Sequence, residues 1–444
     1  MELDLSKIKN VHFIGIGGIG ISAVARMMKI VGKNVTGQDM QGGEIINELQ
    51  NLGIEINIGD QSYENIPKDT ELLIYTIAIE TYDKELFEKL KLQSDFSIRS
   101  YPEMLGVISQ NKYTIAVCGT HGKTTTTGMI AEIFKNADLD PTVIVGSLLK
   151  DKDNNRTNFI PGNSDYFIVE ACEYRRSFLN INPNILVITN IDEDHLDYYK
   201  DINDIKNAFH AMVMKVPADG FIICNPIDKN IKEVIEGVSC KIIDYNKYFD
   251  INLKLKIPGI HNKKDAAAAV AAAAVLGISK EDGEKYVGDF PGTWRRFEFK
   301  GKLSNGTFIY DDYAHHPVEI VATLEGFREL YSKNDGWKIT VVFQPHLFSR
   351  TKLLLDDFAQ SFKDADQVLI LPIYYAREVD DGTISSEILS NEINKYTNNA
   401  KAFSSFEDLE KYLEVGLPNI GEKNIIITMG AGEAFKIGNN LLDS

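Results

Sequence analysis

No apolar run in this sequence approaches the roughly 18 residues that a membrane-spanning helix needs. Its opening, Met1-Glu-Leu-Asp-Leu-Ser-Lys7, lacks the apolar core of a secretory leader. Membrane insertion is therefore not expected, and a cytoplasmic location is. Cysteine is scarce: Cys118, Cys172, Cys224 and Cys240 are the four in 444 residues, with no C-x-x-C spacing. Three stand in apolar strand-like runs, which suits buried free thiols in a reducing compartment. Basic charge is in deficit, 47 Lys and Arg against 64 Asp and Glu for a net charge of -17. With no basic block to neutralise a phosphate backbone, a nucleic-acid partner is not expected. Small phosphorylated ligands are untouched by that argument, because local loops bind them whatever the global charge. Repeats of 20 to 50 residues and long disordered linkers are also lacking.

What is present is an ample core and a regular alternation. The chain is 44% hydrophobic and 25% charged, ordinary for a globular protein, and its length suits about three domains. Strand-like and helix-like segments alternate almost throughout, which predicts α/β layers around largely parallel sheets. Strands are expected at Val11–Ile14, Asn34–Asp39, Glu71–Thr76, Tyr113–Cys118, Lys338–Phe343, Gln367–Leu371 and Asn424–Thr428. A hairpin is expected over Phe297–Tyr310, turning at Asn305-Gly306. A hinge is expected around Gly106–Lys112, and domain boundaries follow at 1–107, 108–293 and 294–444. Ala266–Ala274, alanine at eight of nine positions, reads as a close-packed helix.

Chemistry concentrates in the loops. Gly119-Thr-His-Gly-Lys-Thr124 follows an apolar strand and precedes a helix. Backbone N–H groups and a helix N-terminus there suit the phosphates of a nucleoside triphosphate, with Lys123 reaching the β- and γ-phosphates and Thr124 ligating Mg²⁺. The general phosphate-loop pattern has glycine where this chain has Val117. Gly15-Ile-Gly-Gly-Ile-Gly20 satisfies G-x-G-x-x-G, and Asp39 lies about 20 residues on, where a ribose-binding carboxylate would stand. Taken alone that motif predicts a nicotinamide dinucleotide; beside a triphosphate loop it equally suits a substrate pyrophosphate such as that of a UDP-sugar. Asp165–Glu173 and Asn184–His195 are strands ending in acids, and Glu170 and His195 are the metal candidates. Six of eight histidines, His121, His195, His261, His315, His316 and His346, fall in or beside marked loops. Such placing suits phosphate contact, metal ligation or base work. Arg295, Arg296 and Arg350 stand in loops where bidentate charge could meet a phosphate or carboxylate.

Taken in order, Gly15–Ser22, Gly119–Thr124, Glu170-Ala-Cys-Glu173, Thr189–His195, Gly259-Ile-His-Asn262, Trp294–Glu298 and Asp311–Pro317 resemble the Mur ligases over essentially the whole chain. The resemblance implies an α/β protein of three domains, each a mainly parallel sheet with flanking helices: Rossmann-like, then phosphate-loop, then Rossmann-like again. It implies an ATP- and Mg²⁺-dependent enzyme of peptidoglycan synthesis. That enzyme would join L-alanine to the lactyl carboxylate of UDP-N-acetylmuramate through an acyl phosphate, as a monomer or homodimer. A murein-recycling ligase that adds a preformed peptide is the alternative. Gly15, Gly17, Gly18, Gly20, Ser22 and Asp39 would then serve the UDP-sugar. Gly119, Thr120, His121, Gly122, Lys123, Thr124 and Thr125 would serve ATP, with His261 and Asn262 at adenine, Asp312 at ribose and Arg296 reaching phosphate. Thr124, Glu170 and His195 match metal positions, and His316, His346 and Arg350 fall near the incoming amino acid. His316 is also the candidate base. Closure of the third domain would shield the acyl phosphate from water. Asp265 stands where the adenine motif more commonly has asparagine. Leu347 occupies a position often filled by arginine or a polar residue. His210 stands where later-acting relatives carry a carbamylated lysine, so no carbamate is expected.

Overall fold

The computed structural model describes residues 3–93, 95–150, 156–196, 198–375, 378–416 and 423–443. Helices alternate with strands along nearly the whole chain, and the strands gather into three sheets. The first sheet contains β1 (Asn10–Ile14), β2 (Asn34–Asp39), β3 (Glu55–Ile58), β4 (Leu72–Tyr75) and β5 (Ser97–Ser100). Its order is β3-β2-β1-β4-β5, parallel throughout. The chain thus winds outward on both sides of β1. The turn leaving β1 stands at the switch point where an open parallel sheet offers a crevice to ligands.

The second sheet contains β6 (Tyr113–Cys118), β7 (Thr142–Lys150), β8 (Arg156–Ile160), β9 (Tyr166–Glu170), β10 (Ile185–Ile188), β11 (Phe221–Cys224) and β12 (Lys241–Asp244). Its order is β12-β11-β10-β6-β9-β7-β8, with the β7–β8 pair antiparallel. The third contains β13 (Glu298–Lys302), β14 (Phe308–Asp312), β15 (Lys338–Phe343), β16 (Gln367–Ile370), β17 (Ala400–Ala402) and β18 (Asn424–Met429). Its order is β13-β14-β18-β15-β16-β17. β13 and β14 form the expected antiparallel hairpin, with Gly306 in the left-handed region. Continuous apolar runs such as Ile115-Ala-Val-Cys118 and Ile185-Leu-Val-Ile188 are wholly buried, as strands covered on both faces must be.

The chain divides into two compact units, Met1–Asp250 with Lys264–Phe290, and Ile251–Lys263 with Pro291–Ser444. The first holds the first two sheets and the second holds the third. The alanine run lies in helix Ile260–Ala274, and no residue from Ala266 to Ala273 is more than 2% exposed. Small side chains let neighbouring segments approach this helix closely. The stretch Gly106–Lys112, expected as a hinge, begins inside a helix. Helix Tyr101–Ser109 starts from a reciprocal cap between Ser100 and Glu103. Gly106 serves packing, since a Cβ there would stand 2.6 Å from the Asn180 carbonyl oxygen. Cys118, Cys224 and Cys240 are buried free thiols, and Cys172 is exposed. No helix among the described residues is long and apolar enough to cross a membrane.

Candidate active site

The register of the second sheet assembles the phosphate loop. Cys118 pairs with Ile188 and Val117 with Glu170, so β6, β9 and β10 deliver their ends side by side. The segment after β10 then grips the loop after β6. His121 N–H donates to Asn190 Oδ1 at 2.9 Å, Asn190 Nδ2 returns a bond to the His121 carbonyl at 3.0 Å, and Thr189 Oγ1 donates to that carbonyl at 2.6 Å. Thr120 Oγ1 accepts from Asp192 N–H at 2.8 Å. Gly119 admits no side chain here: its φ is +137° and a Cβ would lie 2.0 Å from Thr189 Oγ1. That close approach explains why position 119 is glycine. Gly122, left-handed, begins helix Lys123–Asn136, and the Asp265 carboxylate lies against it, 2.5 Å from where a Cβ would be. Thr125 is buried in the first turn.

Lys123 folds back into this loop. Its ammonium donates to the Gly119 carbonyl at 2.6 Å, the Thr120 carbonyl at 2.9 Å and Glu173 Oε1 at 3.1 Å. Burial is the largest single influence and disfavours that charge, but Glu173, Cys172 and Glu170 together outweigh it, and the Lys123 pKa is raised above its ordinary value. The Thr124 hydroxyl lies 3.0 Å from both oxygens of Glu170, which also accepts from Gly146 N–H at 2.8 Å. His195 sits in a left-handed backbone, φ +54°, with Nε2 3.8 Å from Glu173 Oε1 and 3.8 Å from Asp194 Oδ2. Its ring packs on Tyr174, centroids 4.8 Å apart. Glu173 therefore joins Lys123 to His195. Glu173 lies within the Glu170–Glu173 motif, but the sequence alone gives it no role. The available signal was two glutamates three apart just past a strand end.

Among the described residues no three His, Cys, Asp or Glu side chains form a ready cage for a metal ion. The donor set fits Mg²⁺ nonetheless. A hydroxyl and a carboxylate stand side by side at Thr124 and Glu170, and Mg²⁺ takes one or two protein oxygens plus phosphates and waters.

The glycine loop after β1 is packed as tightly as the phosphate loop. Gly15 N–H donates to the Gln38 carbonyl at 2.9 Å, and Gly17 N–H to Asp39 Oδ2 at 2.8 Å, so Asp39 holds the loop from the end of β2. Gly18 caps helix Ile19–Ile30. Gly20 faces Tyr101, whose ring atoms would stand 2.7–2.8 Å from a Cβ. Ser22 is fully buried, accepting from Asn158 Nδ2 at 2.7 Å and donating to the Ile19 carbonyl at 3.0 Å. His210 lies on the outside of helix Ile202–Val213, its Nδ1 2.8 Å from the Val234 carbonyl.

The second unit carries its own constellation at the ends of β14 and β15. Asp312 is 3% exposed and accepts from Phe297 N–H at 2.7 Å and Ala314 N–H at 2.8 Å. Burial pushes its carboxyl above the ordinary range, against the pull of Arg296. Arg296 reaches Glu319 at 3.5 Å and lies over the Tyr313 ring. His316 is buried at the head of helix Pro317–Leu330. His315 meets Glu319 at 3.2 Å, and its ring lies 6.0 Å from that of His346. His346 in turn stacks on Tyr374 and stands 3.3 Å from Arg350. Glu319 stands at i+4 from His315 in the sequence, but that spacing alone gives it no role. Leu347 adopts φ +72° just before Arg350's short helix. In the same unit the His261 ring covers Gly259, and Asn262 Nδ2 bonds the Pro258 carbonyl at 2.5 Å.

Three family models match along the chain: the Mur ligase family catalytic domain over residues 10–113, the Mur ligase middle domain over 117–248, and the Mur ligase glutamate ligase domain over 295–432. The UDP-N-acetylmuramate–L-alanine ligase of Clostridium tetani is 42% identical, with 100% of both chains covered. That of Clostridium acetobutylicum is 41% identical over the same share of each. Among solved structures, the UDP-N-acetylmuramate–alanine ligase of Thermotoga maritima superposes with a TM-score of 0.77 at 25% identity, covering 98% of each chain. A murein peptide ligase of Psychrobacter arcticus shares the fold, with a TM-score of 0.70 at 23% identity over 98% of each chain. A triphosphate loop, acids at the ends of adjacent strands and these full-length matches lead to one conclusion: the chain belongs to the Mur ligase family.

Proposed function

We propose that this chain is an ATP-dependent ligase of peptidoglycan precursor synthesis, joining L-alanine to the lactyl carboxylate of UDP-N-acetylmuramate and releasing ADP and phosphate. The observation that carries this reading is the full-length likeness to relatives bearing the alanine ligase name. The geometry supplies the chemistry. A carboxylate attacking a γ-phosphate brings anions together, so the reaction needs fixed positive charge and fixed donors. Loop N–H groups and the start of helix Lys123–Asn136 meet the phosphates, and Lys123 meets the transferring one. Thr124, Glu170 and His195 would hold Mg²⁺, which when bound neutralises phosphate charge. A carboxylate oxygen–phosphorus bond forms as the bond to ADP breaks. The amine then attacks the acyl carbon, the bond to phosphate breaks, and a base takes the ammonium proton.

The remaining roles follow the same reading. Gly15, Gly17, Gly18 and Gly20 approach the UDP-sugar pyrophosphate, with Asp39 fixing their loop. His261 and Asn262 serve adenine, Asp312 the ribose, and Arg296 a phosphate. His346 and Arg350 grip the amino acid, and His316 takes the proton. The work divides over residues 1–107, 108–293 and 294–444, and its soluble substrates suit the cytoplasm. A murein peptide ligase is the second reading, favoured by shared fold alone. Phosphate release with UDP-N-acetylmuramate, tested against free L-alanine, L-serine, glycine and a tripeptide, decides between them. Release dependent on free alanine is expected; release only with the tripeptide overturns the reading. Lys123→Ala should abolish ADP release at saturating substrate, and near-normal turnover would remove Lys123 from the reaction.

A further inference from the structure

An ammonium has three N–H donors, and in Lys123 all three point into the protein. Two acceptors are carbonyls of the phosphate loop, held in place by the bonds from Thr189, Asn190 and Asp192 described above. The third is a side chain. Glu173, 2% exposed, donates nothing and holds the ammonium through Oε1 at 3.1 Å. Its Oε2 lies 3.0 Å from the same ammonium yet receives no hydrogen bond among the described residues. The backbone of Glu173 is pinned, its carbonyl accepting from the Tyr199 hydroxyl at 2.5 Å. His195 Nε2, 3.8 Å from Oε1, offers the carboxylate a second neighbour within reach of a side-chain rotation.

We propose that Glu173 is a positioning residue: it holds Lys123 in the loop and yields it to an arriving phosphate, exchanging one hydrogen bond of the ammonium and turning its own carboxylate toward His195. The proposal rests on the ligase reading, which makes the loop an ATP site. Of the three acceptors, the carboxylate alone can leave without dismantling the loop. An anion at that place also opposes the approach of phosphate, so Glu173 keeps the lysine ordered while weakening nucleotide binding. Charge and hydrogen bond act together in a buried setting, where such a pair weighs more than on the surface.

The test measures ATP binding by calorimetry in EDTA, where no turnover occurs. Glu173→Gln should bind metal-free ATP about tenfold more tightly, a change of about 1.4 kcal/mol. Glu173→Asp, which keeps the charge but shortens the reach, should tighten binding about threefold. The tightening should vanish when Lys123→Met is already present, because the exchange has lost its lysine. With Mg²⁺ and all substrates, Glu173→Gln should lower kcat while KM for ATP also falls, a split that a merely structural residue does not give. Unchanged or weaker metal-free affinity in either Glu173 variant overturns the proposal, as does tightening that persists beside Lys123→Met. Should Glu173→Gln not fold, Glu173→Asp and its pairing with Lys123→Met decide. Wild-type protein that neither binds ATP nor releases phosphate sinks the ligase reading itself; wild-type binding with indifferent variants sinks the role of Glu173 alone.

Discussion

Arg295 is 3% exposed, and its guanidinium meets Asp311 at 2.7 Å and the carbonyls of Gly430 and Gly432 at 2.6 and 3.0 Å. Its neighbour Arg296 keeps 30% of its side chain exposed and touches Glu319 at 3.5 Å. Adjacent residues of one type thus sit differently, one closing the third sheet's loops and one partly exposed. Arg295→Ala strands a buried Asp311 and should cost about 3–5 kcal/mol of stability. Arg296→Ala should cost under about 1 kcal/mol while sharply lowering phosphate release. Urea denaturation and the phosphate assay read the two effects separately, and a stable, inactive Arg295→Ala would reverse the assignment. In the sequence the two arginines were hard to separate, because both stand in one turn marked by glycine and proline. Left-handed φ at Arg295 and Phe297 turns the first inward, and that backbone choice has no single-residue signature.

The elements were more legible than their caps and contacts. Alternating apolar runs announced β1, β2, β4, β6, β15, β16 and β18, and Asn305-Gly306 announced the hairpin. Gly106 is ambiguous, because a glycine inside a helix for close packing looks the same in sequence as a breaker. His12 shows what burial inside a strand adds. It is 1% exposed in β1, with Nδ1 2.8 Å from Thr36 Oγ1 and Nε2 3.1 Å from Gln38 Nε2, and desolvation lowers its pKa to about 4. The unfolded chain binds that proton at about pH 6.5, so it takes up protons before the folded chain does. The stabilisation is complete above pH 6.5 and falls as pH drops toward 4, with about 2 kcal/mol gone by pH 5. Urea midpoints at pH 7 and pH 5 should show this loss, and His12→Asn should flatten it by that amount. An identical pH dependence in the variant would exonerate His12. The alanine helix makes a complementary case: Ala269 is 0% exposed, so a larger side chain there must be accommodated inside the core. Ala269→Leu should destabilise by about 1–3 kcal/mol, read as a lower urea midpoint.

At the scale of the molecule, the three sheets do not make three equal parts, because the first two belong to one compact unit. Sequence alternation set a boundary near residue 107, yet polar bonds cross it. Arg175 reaches the Ile77 carbonyl at 3.3 Å and Glu80 at 3.2 Å. Asn158, 1% exposed on β8, donates to the Ile19 carbonyl at 2.5 Å and the Ser22 hydroxyl at 2.7 Å. No local pattern announces such bonds, since each joins residues far apart in the chain. The Asn158 tie lands on the first turn of the helix that follows the glycine loop, so the second sheet braces the segment assigned to the UDP-sugar. Removing the amide takes a donor from the buried Ser22 hydroxyl, while the Ile19 carbonyl keeps its bond from that hydroxyl, and should cost about 1 kcal/mol. If the brace matters to function, Asn158→Ala should raise KM for UDP-N-acetylmuramate several-fold and leave KM for ATP unchanged, because the phosphate loop is gripped independently by Thr189 and Asn190. Steady-state kinetics with each substrate varied in turn makes the comparison. Equal rises in both constants would mean that Asn158 supports the whole unit and not the sugar loop in particular.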